Sequence, residues 1–290
     1  MRSGEMVFDP PQMPALLSSA RRGLTEWMDQ IMRTVFLTLF ALAVAGTPAL
    51  SADLYMKYKL FAVGLPIGSG VLSVDFGDGA YAIKANGGTA AFGKLVSDGK
   101  GSVNVRGNIT GGTLQPDSFA LNVKSDDENG TISMQMREGT VKKVAVNPPQ
   151  DRMNQRIKVT SDHLKNVLDP LTAAVFPAPK GLSAESCNRT LELFDGKERY
   201  NVHLSYKSKR RAKTSDGRFK GDVLVCRARY EPVSGHRPKR KTIQELANNK
   251  SMEIWLAPVG DKPYLVPLRA SIRAPFGSLV VQAEKYKLKG

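Results

Sequence analysis

The chain contains two cysteines, Cys187 and Cys226, and the stretch they enclose constrains the fold more than any other part of it. Between them Arg189 to Phe194 (RTLELF) leads through Asp195-Gly196 into Lys197 to Tyr206 (KERYNVHLSY). Asp-Gly between alternating runs is a strong hairpin signal, because the tight turn needs residues that accept positive φ. We therefore expect a hairpin beside a disulfide. Closing a loop of 40 residues, both cysteines included, stabilises a domain by about 3 to 4 kcal/mol on the chain-entropy estimate. A metal site or redox pair would need closer cysteine spacing. Whether the staple forms depends on the compartment.

Residues 32–52 address the compartment. Met32-Arg33 is a short basic start, Val35 to Ala45 (VFLTLFALAVA) is an apolar run short for a bilayer, and Thr47 to Ala52 (TPALSA) is a small-residue cleavage region. This is an export signal, cut after Ser51 or Ala52; an uncleaved signal anchor is the alternative reading. Residues 1–31 sit awkwardly upstream of it, and Met32 is the expected start of translation. No cysteine lies near the cleavage site, so nothing there carries a lipid anchor. The expected product is a periplasmic protein, soluble after cleavage, with one domain over residues 53–290.

From Asp53 the apolar period is two rather than 3.6. Strands are expected at 54–61, 68–76, 81–85, 91–96, 102–106, 118–124, 131–136 and 141–146, then at 189–194, 197–206, 252–256, 265–272 and 279–286. That pattern is mainly β: a strongly curved antiparallel sheet of about 13 strands, an open or spiral barrel, with glycines such as Gly68, Gly70 and Gly93 suited to sharp coiling. One helical pattern interrupts it, from Ser161 through Val175. Ser161 and Asp169-Pro170 read as two caps, so two short helices with a step between them are expected. Leu164, Val167, Leu168, Leu171 and Val175 form one stripe, which predicts a short covering helix over the sheet, or a lid over a ligand cavity. A second short helix is expected at 242–249.

Chemistry is sparse in this sequence. His163, His203 and His236 have no metal-ligand spacing and read as ordinary surface, strand or capping histidines. No serine completes G-x-S-x-G, the glycine clusters do not open helices, and no carboxylate pair stands out. We expect no catalytic residue, no metal and no cofactor.

Charge is the strong compositional signal. The net charge is +15, and residues 197–241 hold 15 Lys/Arg against 4 Asp/Glu. Lys207, Lys209, Arg210, Arg211 and Lys213 are expected in one loop and Arg237, Lys239, Arg240 and Lys241 in another, with the disulfide holding their bases together. Nucleic acid is a poor partner for an exported protein. The acidic candidates are an anionic membrane surface, lipopolysaccharide phosphates or an envelope protein; a merely solubilising surface is the plain alternative.

The run Val167 to Phe176 (VLDPLTAAVF), Cys187 with Leu193-Phe194-Asp195-Gly196 and Arg199-Tyr200, then Val225-Cys226 with Arg229-Tyr230, Pro232, Gly235 and His236, resembles the bacterial family called domain of unknown function 3108. The resemblance covers most of the exported chain and is densest from 160 to 240. It implies an exported protein without established activity and transfers no catalytic residue. The architecture is also similar to the half-open barrels of periplasmic lipoprotein carriers and to β-spiral envelope-integrity proteins. Two functions follow as expectations. One is a module that binds a lipid or lipoprotein acyl chain in the concavity of the sheet. The other is a scaffold whose basic loops dock on an anionic envelope component. An enzyme ranks third.

Overall fold

The computed structural model describes residues 53–90, 98–126, 129–274 and 277–289. The expected leader (1–52) and the expected strand at 91–96 lie outside them. A first meander comprises β1 (Leu54–Ala62), β2 (Leu65–Phe76), β3 (Ala80–Thr89), β4 (Gly99–Thr110), β5 (Thr113–Ser125), β6 (Asn129–Arg137) and β7 (Thr140–Asn147). A two-residue strand, β8 (Phe176–Pro177), precedes a second meander of β9 (Arg189–Phe194), β10 (Arg199–Lys213), β11 (Lys220–Ser234), β12 (Met252–Val259), β13 (Lys262–Ala274) and β14 (Gly277–Leu288). The meanders fuse because β1 pairs with β14, giving the order 7-6-5-4-3-2-1-14-13-12-11-10-9, with β8 attached to β13. Every strand pairing is antiparallel, and β7 and β9 do not pair with each other, so the sheet is open.

Period-two alternation decides which face is buried. In β1, Leu54, Met56, Tyr58 and Leu60 turn inward, and Leu72, Val74, Ile83, Val103 and Phe119 on the following strands join them in the main core. Tyr58 is completely desolvated, its pKa pushed well above the phenol range by that burial, and its hydroxyl donates to the Pro267 carbonyl at 2.7 Å. Register shifts at Lys57/Tyr58, Arg106/Gly107, Gln135/Met136 and Trp255/Leu256 bend the sheet. Gly107 shows how tight one bend is: a Cβ there would lie 2.1 Å from the Gln115 carbonyl oxygen and 2.7 Å from the Tyr81 ring.

The segment at 161–175 departs from expectation. The two short helical pieces and the step between them are present, but each piece is only a single 3₁₀ turn, Asp162–Leu164 and Thr172–Ala174, so the segment is an irregular strap and not a covering helix. Asn166 takes a positive φ of 53° and Pro170 lacks an N–H, so no helix runs through. The strap instead satisfies the sheet. The Val167 N–H donates to the Gly139 carbonyl in the β6–β7 turn at 2.8 Å, the Leu168 N–H to Glu192 on β9 at 2.9 Å, and the Phe194 N–H to Leu168 at 3.0 Å. An unpaired β9 edge offers backbone partners that outweigh a weak helical preference. The five apolar residues are consequently divided. Val167, Leu171 and Val175 are buried in the main core with Leu164 half-buried beside it, whereas Leu168 packs with Leu193, Tyr200 and Tyr230 in a second cluster.

The helix expected at 242–249 is present as α1 (Lys241–Asn248), burying Thr242, Ile243 and Leu246. Cys187 and Cys226 are bonded and fully buried, in a third cluster with Phe176, Leu204, Leu224, Leu256 and Leu265.

Candidate functional site

The basic residues are organised by the β10–β11 hairpin. Its two strands are 15 residues each, with Lys213 opposite Lys220 at one end and Arg199 opposite Ser234 at the other. The sequence pattern predicts a loop at 207–213, but this stretch continues β10, because Val223, Leu224 and Val225 on β11 are buried and hold it in register. The second group, Arg237 to Lys241, follows the opposite end of β11. From Leu224, the partner of Lys209, to Ser234 is ten residues, roughly 33 Å of strand. The disulfide therefore does not bring the two groups together, and the candidate surface consists of the first group.

Three features make that surface rigid. Thr214 Oγ1 donates to Asp216 at 2.6 Å and the Arg218 N–H to the same carboxylate at 3.2 Å, closing the tip. Burial would raise the Asp216 pKa, but these hydrogen bonds prevail and hold it below the usual range. The tip is then tied to β14, through the Asp216 N–H to the Glu284 carbonyl at 3.1 Å and Phe219 against Tyr286 at 5.2 Å between ring centroids. Lys207, at the β10 bulge, pairs with Glu253 of β12, whose pKa this hydrogen bond lowers.

The distal half of β10 is also a sheet edge. β9 pairs with β10 only as far as Leu204, so residues 205–213 have a neighbouring strand on the β11 side alone. Alternation places Lys209, Arg211 and Lys213, all exposed, on one face and Arg210, also exposed, on the other. Residues 207–222 carry seven Lys/Arg against two Asp/Glu.

A family model described as protein of unknown function (DUF3108) matches residues 54–284. The chain belongs to the DUF3108 family. No curated protein matches it. This DUF3108 protein is similar in fold to a β-barrel-like protein of domain of unknown function DUF1849 from Brucella abortus, at 11% identity over 82% of this chain and 98% of that one, with a TM-score of 0.48. It is also similar to a protein from Bacteroides fragilis described as exported and having a YmcC-like fold, at 12% identity over 86% of this chain and 99% of that one, with a TM-score of 0.33.

The histidines of this DUF3108 member occupy separate places. The His163 ring nitrogen Nδ1 accepts the Thr160 N–H at 3.1 Å, and His203 bridges Thr190 and Glu231. His236 is buried, and desolvation lowers its pKa. Among the described residues no group of three His, Cys, Asp or Glu is arranged to hold a metal ion, and no helix is long and apolar enough to cross a membrane. One titratable group escaped notice in the sequence. Asp169 is fully buried, its Oδ1 accepting the Leu171 and Thr172 N–H groups at 2.9 Å, while burial raises its pKa to about 6. Asp before Pro read as a cap; its depth in the core had no local signal.

Proposed function

We propose that this protein is a non-enzymatic component of the bacterial envelope, exported to the periplasm, that docks on an anionic envelope surface along the distal edge of its β10–β11 hairpin. The observation that carries this reading is the pinned basic edge: five cationic side chains and no acidic one from Lys207 to Lys213, on a strand fixed by the sheet and tied to β14 at its tip. Each cation near an anionic membrane contributes about 1 kcal/mol, and a fixed array presents several at once. The export signal and the buried disulfide support the periplasmic placement.

A carrier for an acyl chain would need room inside the sheet. Tyr58, Phe119 and Leu171 are each at most 1% exposed, and the strap fills the inner face with Val167, Leu171 and Val175. That packing favours a solid scaffold over a ligand-bearing barrel. One further reading has its own observation: charged side chains on an unpaired edge strand prevent edge-to-edge aggregation, and residues 205–213 are such an edge.

Co-sedimentation separates these readings. The full chain should pellet with anionic vesicles and not with neutral ones, binding should fall steeply with salt, and Lys209, Arg210, Arg211 and Lys213 replaced together by glutamine should remove it. An edge-protection role predicts no vesicle binding for either protein and aggregation of the quadruple variant. Co-purifying lipid in native mass spectrometry would restore the carrier reading.

A further inference from the structure

The row of register partners inward from the basic edge carries an arrangement that the charge pattern alone does not reveal. Trp255 on β12 lies opposite Val225 on one side and Arg269 of β13 on the other, and Arg269 lies opposite Gln282 of β14. Partners in register share a face. Ser208 also lies opposite Val225, so Arg210, two residues on, projects from the same face as Trp255. Its guanidinium reaches over the indole, 5.6 Å from the ring centroid, while the Arg269 guanidinium stands 5.8 Å from the same centroid.

Two cations on one ring attract the ring and repel each other. Neither has a carboxylate within ion-pair distance among the described residues. Arg269 donates to the neutral Gln282 Oε1 at 2.6 Å, and the Arg210 guanidinium faces the indole. Glu253, two residues before Trp255, is paired with Lys207 and also attracts both guanidiniums from beyond ion-pair distance. Arg269 is half-buried, and desolvation holds its pKa below the usual guanidinium range. One carboxylate shared among Lys207, Arg210 and Arg269 leaves this partly desolvated cluster with a net positive charge, which a further anion would offset. Guanidinium pairs suit phosphate, which offers oxygens to both planar forks. A partly exposed tryptophan suits the headgroup level of a bilayer, where one side of the ring is apolar and the other wet.

We infer that Trp255, flanked by Arg210 and Arg269, is a phosphate-binding seat for the headgroup of an anionic lipid, with the indole at the membrane interface. The site deepens the docking function proposed above and rests on it. It adds an oriented contact to an attraction that charge alone would leave unoriented: the Arg210 face of β10–β13 turns toward the membrane, and Lys209, Arg211 and Lys213, on the other face of the edge strand, flank it only along the rim.

The fluorescence of Trp255 reads this directly. The chain has two tryptophans, so Trp27→Phe in the full chain leaves Trp255 as the sole indole. Vesicles of phosphatidylglycerol and phosphatidylcholine should shift its emission to the blue and shield it from acrylamide; phosphatidylcholine alone should not. Arg210→Gln, at an exposed position, should weaken the shift roughly fivefold in lipid concentration, and adding Arg269→Gln should weaken it by a similar factor again. Arg269→Lys, which keeps the charge but loses the fork, should bind while shielding less, and guards against a folding defect in the glutamine variant. Co-sedimentation with an unchanged Trp255 spectrum would overturn this site and leave the docking function standing. Absence of co-sedimentation would overturn both. The same shift with inorganic phosphate alone would overturn the lipid surface as the occupant.

Discussion

Gly196, in the turn between β9 and β10, packs directly on Ile132 of β6, so parts of the sheet far apart in strand order meet. A Cβ on Gly196 would lie 2.3 Å from the Ile132 Cγ2, and the residue has a φ of +94°. Gly196→Ala should therefore meet both a steric clash and a left-handed backbone, costing about 2 to 4 kcal/mol together. Denaturant unfolding should show a lower midpoint with an unchanged slope.

The disulfide closes a loop whose ends are 39 residues apart. Replacing both cysteines with serine should cost about 3 to 4 kcal/mol from the unfolded chain's regained freedom alone. Thiol labelling of the unfolded, unreduced protein should find none free, and calorimetry of the variant should show the lower melting temperature.

Asp169 makes stability depend on pH. Its folded pKa of about 6 lies above the unfolded value of about 3.9. Between roughly pH 4 and pH 6 the folded chain keeps a proton that the unfolded chain has released, so raising the pH through that window destabilises the fold. The full penalty, on the order of 2 to 3 kcal/mol, applies above pH 6. Asp169→Asn keeps an acceptor for the Leu171 and Thr172 N–H groups and removes the charge. Urea unfolding at pH 4.5 and pH 7 should show a smaller loss of stability on raising the pH for the variant than for the wild type.

Leu171 holds the strap in the core with no exposed surface. Leu171→Ala should cost about 2 to 5 kcal/mol through lost burial and the cavity left behind. Hydrogen exchange should show the Val167 and Leu168 amides, which tie the strap to Gly139 and Glu192, losing protection.

Lys209, Arg211 and Lys213 are exposed, and surface charges of this kind contribute little to folding. Their replacement by glutamine should leave the melting temperature within about 2 °C of wild type while weakening vesicle binding. A large thermal shift would mean that these side chains hold the hairpin rather than serve a surface.

The sequence by itself determined the β architecture, the first meander and the disulfide. Alternation in runs such as Leu54 to Phe61 is a local, period-two signal, and two cysteines leave one pairing within the chain. It did not disclose β11, whose Val223 to Cys226 are buried without a break, so no alternation marks it. Tertiary structure alone decided that Lys207 to Lys213 continue a strand, because β11 supplies the partners. It also decided that Ser161 to Val175 form a strap rather than a helix, because β9 and the Gly139 turn offered backbone hydrogen bonds that no local pattern records. The Trp255, Arg210 and Arg269 cluster belongs to the same class: three residues on three strands, spread over 60 positions of sequence, brought onto one face by register alone.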